Sequence, residues 1–122
     1  MITGVDFAVV PVKDFDAAVE FYGTTLGLPE TARYGRMPGV EFETGNLTLA
    51  IMQIEAFGQP FANAAPIALQ VDDVPTARAE LESRGVAFSG DIVDSGVCHQ
   101  AYFADPDGNP LILHHRYAPR EG

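Results

Sequence analysis

The stretch from Cys98 to Tyr117 restricts the possible folds more than any other part of the chain. It sets Asp105-Pro106-Asp107-Gly108-Asn109 between two alternating segments, the pattern of a β-hairpin. Pro106 presets its own φ, Gly108 takes a positive φ at little cost, and the Asp and Asn side chains can bond nearby backbone N–H groups. With Asp105 facing Asn109, Phe103 lies opposite Leu111, Tyr102 opposite Ile112, and Gln100 opposite His114. One face of the hairpin then carries Cys98, Gln100, Tyr102, Ile112 and His114. The other carries Ala101, Phe103, Leu111 and Leu113, which suits a surface lying under a helix.

Upstream, Val5 to Val12 reads as a strand, and Lys13-Asp14-Phe15-Asp16 places acidic groups at a helix N-terminus. Ala18, Phe21, Tyr22 and Leu26 recur at helical spacing, with Gly27 as the stop. Tyr34 to Pro38 reads as a loop. Val40 to Thr44 and Leu47 to Ile54 read as strands joined at Gly45-Asn46. Ala56 to Pro66 is a connector without a period. Ile67 to Val71 is the next strand, and Asp72-Asp73-Val74-Pro75 opens a second helix, with Ala77 and Leu81 inward and Gly85 at its end. Val86 to Phe88 and Asp91 to Val93 are short extended pieces.

Aligning Val12 with Val71 exposes a repeat, since it also pairs Ala18 with Ala77 and Phe7 with Pro66. Each half reads strand, helix, then about three strands, and neither buries its apolar face alone. The expected architecture is α+β: two βαβββ modules joined edge to edge in one curved mixed sheet, with helices on the convex side and the concave face open. The expected boundaries are residues 4–56 and 66–117, a linker at 57–65 and a poorly ordered tail at 118–122, all in one domain spanning 1–122. A chain of 122 residues suffices for such a domain.

Charge and cysteine usage narrow the partners. The net charge of −10, from 17 acidic and 7 basic residues, repels phosphate backbones and argues against nucleic acid. It leaves two readings open, plain solubility or a preference for cationic ligands. No apolar run approaches the roughly 20 residues of a membrane span. Met1-Ile2-Thr3-Gly4 lacks the start of a signal peptide, and the single cysteine fits a reducing cytoplasm, so a cytoplasmic protein is expected.

In this order and spacing, Val12-Lys13-Asp14, Ala18, Phe21-Tyr22, Leu26-Gly27, Val71-Asp72-Asp73 and Phe103-Ala104-Asp105-Pro106-Asp107-Gly108-Asn109 resemble the vicinal oxygen chelate superfamily. This is the family of glyoxalases, bleomycin-resistance proteins and extradiol dioxygenases, and the resemblance runs from Val5 to about Tyr117. It implies fold more than function, because the family hosts binding proteins, lyases, epimerases and dioxygenases. It also implies a divalent metal on the concave face of the enzymes. Carried onto this chain, the ligand positions fall at Phe7, Pro66, Ile112 and near Ala50. None of these side chains offers a donor for such a metal.

By strand parity the concave face should show Phe7, Val9, Thr48, Ala50, Met52, Ala68, Gln70, Cys98, Gln100, Tyr102, Ile112 and His114. The candidate ligand-binding set is Phe7, Thr48, Ala50, Met52, Gln70, Cys98, Gln100, Tyr102, Ile112 and His114. His114 is either bonded to Gln100 across the hairpin or free to orient a ligand. Cys98 reads as a small pocket-lining thiol rather than half of a Cys–His dyad, since His114 lies some way along the pairing. His115 should point away from His114, and His99 lies on the helix-facing side, so the three histidines do not share a metal. Tyr34 and Met37 read as a lid or as loop packing. Glu41 and Glu43 share a face, as on an edge strand or as an acid/base pair.

The expectation is a protein that uses no cofactor or metal and has no catalytic residue. It would resemble the bleomycin-resistance branch and sequester a hydrophobic or aromatic compound such as an antibiotic. A homodimer follows by analogy with short family members. The alternative is a metal-dependent lyase or dioxygenase with ligands displaced to Gln70, Gln100 and His114. A third reading is an accessory domain with a vestigial pocket.

Overall fold

Two aspartates at equivalent places in the repeat start the two helices. Asp14 accepts a hydrogen bond from the Ala17 amide at 3.1 Å and opens α1, Phe15–Glu20. Asp73 accepts from the Thr76 amide at 3.0 Å and opens α2, Val74–Ser83, with proline in the first turn. Each cap satisfies an amide that would otherwise lack a partner. The structure, a computed structural model, describes residues 1–119. The strands are β1 Phe7–Val12, β2 Glu30–Arg33, β3 Gly39–Glu43, β4 Thr48–Gln53, β5 Ile67–Gln70, β6 Ser89–Asp94, β7 Cys98–Ala104 and β8 Pro110–Arg116. Two βαβββ modules are therefore present.

Hydrogen bonding resolves the strands into two four-stranded mixed sheets, ordered β1-β4-β3-β2 and β5-β8-β7-β6. In each, the first strand runs parallel to the last (β1 with β4, β5 with β8), and the other pairs are antiparallel. The chain divides into two compact units. The first comprises residues 1–64 with the turn 105–109, and the second, among the described residues, 65–104 with 110–119. Arg120 to Gly122, the end of the expected disordered tail, lie outside the described residues. No helix among the described residues is long and apolar enough to cross a membrane.

In the first unit α1 packs on β4, and Val10, Val12, Ala18, Phe21, Tyr22, Val40, Phe42, Leu49 and Ile51 are buried. A six-residue helix is marginal alone, and each large buried side chain contributes about 1.5–3 kcal/mol. The helix continues through Phe21–Thr25 as a π turn in which the Leu26 amide donates to the Phe21 carbonyl at 2.8 Å. The wider turn lets the adjacent Phe21 and Tyr22 both bury, with Tyr22 stacked on Phe42.

In the second unit α2 packs on β7 and β8 over Ala101, Phe103, Leu111 and Leu113. The hairpin has the expected register, with Phe103 opposite Leu111, Tyr102 opposite Ile112 and Gln100 opposite His114. Two strands differ from expectation. β2 carries no strand signal in the sequence, because Glu-Thr-Ala-Arg is polar and sits at a sheet edge, where neither face needs to be apolar. β6 begins after Val86–Phe88 rather than within it, and its pairing with β7 is irregular between Ser89 and Val93 around Gly90, at φ +72°.

The turn residues carry a buried polar network in the first unit. Asp105 accepts four hydrogen bonds, from the Asp107 and Asn109 amides, the Asn109 Nδ2 and the Tyr22 hydroxyl, the last at 2.8 Å. These fill the acceptor sites of a carboxylate. Asn109 Nδ2 also donates to the Pro11 carbonyl at 2.7 Å, and Asn109 Oδ1 accepts from the Ala64 amide at 2.8 Å. Asp107 Oδ2 accepts from the amides of Lys13 and Asp14 at the start of α1.

Candidate functional site

Strand alternation leaves one face of each sheet free of its helix. In the first unit Phe7 pairs with Thr48, Val9 with Ala50 and Pro11 with Met52, so these residues share that face. Phe7, the first residue of β1, is 47% exposed and Val9 40%, a large apolar exposure for strand residues. Thr48 and Met52 are half-buried, whereas Ala50 is fully buried.

β3 adds Glu41, opposite Ala50, and Glu43, opposite Thr48, to the same face. The edge-strand reading of these two glutamates is corrected: β2 lies outside β3, which is therefore an interior strand. Both carboxylates are held in place. The Glu41 carboxylate accepts from the Tyr34 hydroxyl at 2.5 Å, and Glu43 accepts from Thr48 at 2.6 Å and Thr31 at 3.4 Å. Burial, then the hydrogen bond to Glu41 and its charge, push the Tyr34 phenol up to about 12. Its ring makes an edge contact with Phe57 and lies against Gly39, where an added Cβ would come within 2.1 Å of Cδ2. Tyr34 thus acts as a strut beside the face.

This contact gives a direct prediction. Gly39→Ala must expel the Tyr34 ring, with an expected loss of about 1–3 kcal/mol, and Tyr34→Ala in the same background should recover part of it. Urea unfolding of Gly39→Ala, Tyr34→Ala and the double variant measures the coupling. A Gly39→Ala protein as stable as the parent would show that the ring does not occupy this place.

In the second unit the free face carries Gln70, Gln100, Tyr102, Ile112 and His114. Their pairings put Gln70 beside His114, His114 beside Gln100 and Ile112 beside Tyr102. Ala68 and Gln70 are exposed, the β7 and β8 residues are half-buried, and Cys98 is buried. The expected bond between Gln100 and His114 is not formed among the described residues. The Tyr102 hydroxyl donates to Gln100 Oε1 instead, two residues along the same strand. Among the described residues the imidazole of His114 is thus without this partner.

The positions to which the resemblance assigns metal ligands carry Phe7 and Ala50 in the first unit and Pro66 and Ile112 in the second. Among the described residues no group of three or more His, Cys, Asp or Glu is placed to hold a metal ion. The donor chemistry at these positions does not fit that metal.

A family model described as the Glyoxalase/Bleomycin resistance protein/Dioxygenase superfamily matches residues 4–113. No curated protein matches the chain. Among solved structures, a member of the glyoxalase/bleomycin resistance protein/dioxygenase superfamily from Sphaerobacter thermophilus is 25% identical, with a TM-score of 0.80. That match covers 93% of this chain and 97% of the other. TnmS3, an antibiotic binding protein from Streptomyces sp. CB03234, is 29% identical, with a TM-score of 0.79, over 94% of this chain and 97% of its own.

Proposed function

Since the chain belongs to the glyoxalase/bleomycin resistance protein/dioxygenase superfamily, we propose that it binds a hydrophobic or aromatic small molecule, such as an antibiotic, without turning it over. One observation carries the reading. The helix-free face of the first sheet exposes Phe7 and Val9 while holding oriented polar groups beside them. Exposed apolar surface with a few fixed polar anchors is what a small-molecule site requires. The likeness to an antibiotic binding protein supports the same reading. On the second sheet, Tyr102 offers an aromatic contact and His114 a polar anchor. Phe7, Ala50, Pro66 and Ile112 leave the family's metal positions without donors, which favours holding a compound over transforming it.

The test is a thermal-shift screen of aromatic antibiotics and metabolites, followed by calorimetry on the hits. A compound that binds should raise the melting temperature in proportion to the logarithm of its concentration once saturating. Tyr102→Ala and His114→Ala should each weaken binding by roughly 10- to 100-fold, with little change in melting temperature. Binding should survive chelation and should release no product. Affinity lost on chelation, together with product formation, would favour the metal-dependent lyase or dioxygenase. If both variants unfold, these residues serve the core and not the site. The reading includes a homodimer in a reducing cytoplasm, and sedimentation at micromolar concentration tests the dimer.

A further inference from the structure

On the opposite, helix-facing side of the second sheet, three strands bring chemistry-bearing residues into one row. β7 and β8 pair His99 directly with His115, and β6 pairs Asp94 with His99. Directly opposed residues of an antiparallel pair project to the same side with Cα atoms about 5 Å apart, within reach of a shared ion. Asp94 Oδ2 lies 3.3 Å from His99 Nε2. Asp94 is itself anchored by the Tyr117 hydroxyl at 2.6 Å and the Gly96 amide at 2.8 Å. Tyr117 also packs its ring against His99, with centroids 4.7 Å apart.

A carboxylate on one ring nitrogen fixes the tautomer and turns the other nitrogen outward as a lone-pair donor. That carboxylate–histidine arrangement typically orients a metal ligand. We propose that His99 and His115 form a bidentate chelate for a divalent transition metal that prefers imidazole, with Asp94 as the positioning residue. Water would fill the remaining coordination positions, since no group of three or more His, Cys, Asp or Glu among the described residues is placed to hold a metal ion. This chelate is separate from the proposed ligand site, since His114 lies on the other face of β8.

Titration of the full chain with zinc, copper(II), magnesium and calcium chlorides by calorimetry tests the proposal. One saturable event is expected, strongest for copper, present for zinc and absent for magnesium and calcium, the order that imidazole ligands impose. His99→Gln and His115→Gln keep a polar side chain of similar size and should each abolish the event. Asp94→Asn should weaken it by about 10- to 100-fold, while His114→Gln should leave it intact. Equal binding of calcium would assign the ion to the carboxylates and overturn the chelate. So would binding that persists in the His99→Gln/His115→Gln double variant, or that is lost with His114→Gln. No saturable binding of either zinc or copper would overturn it as well.

Discussion

Asn109→Ala should lower the stability of the protein by about 3–5 kcal/mol and its melting temperature by more than roughly 10 °C. The side chain is 1% exposed, and its amide serves four partners at once. Its Nδ2 donates to the Pro11 carbonyl at 2.7 Å and to Asp105 Oδ2 at 2.8 Å, and its Oδ1 accepts from the Ala64 amide at 2.8 Å and from Asn63 Nδ2 at 3.3 Å. Alanine removes all four bonds and leaves a backbone carbonyl, a backbone amide and part of a carboxylate buried without them. Each such orphan costs about 1–3 kcal/mol, and water entering the vacated space offsets part of the sum. Asn63→Ala is the control. It deletes bonds to the Asp107 carbonyl and to Asn109 Oδ1 from an exposed side chain, and should cost less than about 1 kcal/mol. Equilibrium urea unfolding measures both, and an Asn109→Ala protein within about 1 kcal/mol of the parent would show that the network does not hold the turn.

Local chemistry made part of this structure legible in the sequence. The hairpin register follows from period-two alternation on both sides of a turn whose residues fix its geometry. Asp14 and Asp73 reveal the helix starts because a cap acts over three residues. The partners that make Asp105 and Asn109 essential were not legible, since Tyr22, Pro11 and Ala64 lie far away in sequence and no pattern encodes the contact. The π turn escapes a 3.6-residue period. One omission propagates: without the polar β2, β3 reads as an edge strand, with Glu41 and Glu43 sharing a face on it. The β3–β4 register places Glu43 beside Thr48 and Glu41 beside Ala50, on the face that also carries Phe7. At His114 the pairing with Gln100 was legible, but the competition was not, because Tyr102 two residues away reaches the same acceptor. The face was thus readable from alternation, whereas its hydrogen bonds depend on which neighbour gets there first.

The second large effect is an alkaline limit to stability set by Tyr22. Burial first, then the negative charge of Asp105 and the hydrogen bond donated to it, keep this phenol protonated far above its usual range. In the unfolded chain it ionises near pH 10. Above that pH the unfolded state releases a proton that the folded state retains, so stability falls as pH rises. Below it the contribution is fully present. The slope is about 1.4 kcal/mol per pH unit, which amounts to about 3 kcal/mol two units above the unfolded value. Tyr34, raised to about 12, adds in the same sense until its own folded value is reached. Tyr22→Phe removes the hydroxyl but keeps the ring stacked on Phe42. At neutral pH it should be less stable by about 1.5–3 kcal/mol, the worth of a hydrogen bond to a charged group. Its alkaline slope should be shallower by about 1.4 kcal/mol per pH unit, so the two stability curves converge toward pH 12. Urea unfolding at intervals from pH 8 to 11.5 reads both slopes, and parallel curves would mean that the Tyr22 proton is not held by the Asp105 carboxylate.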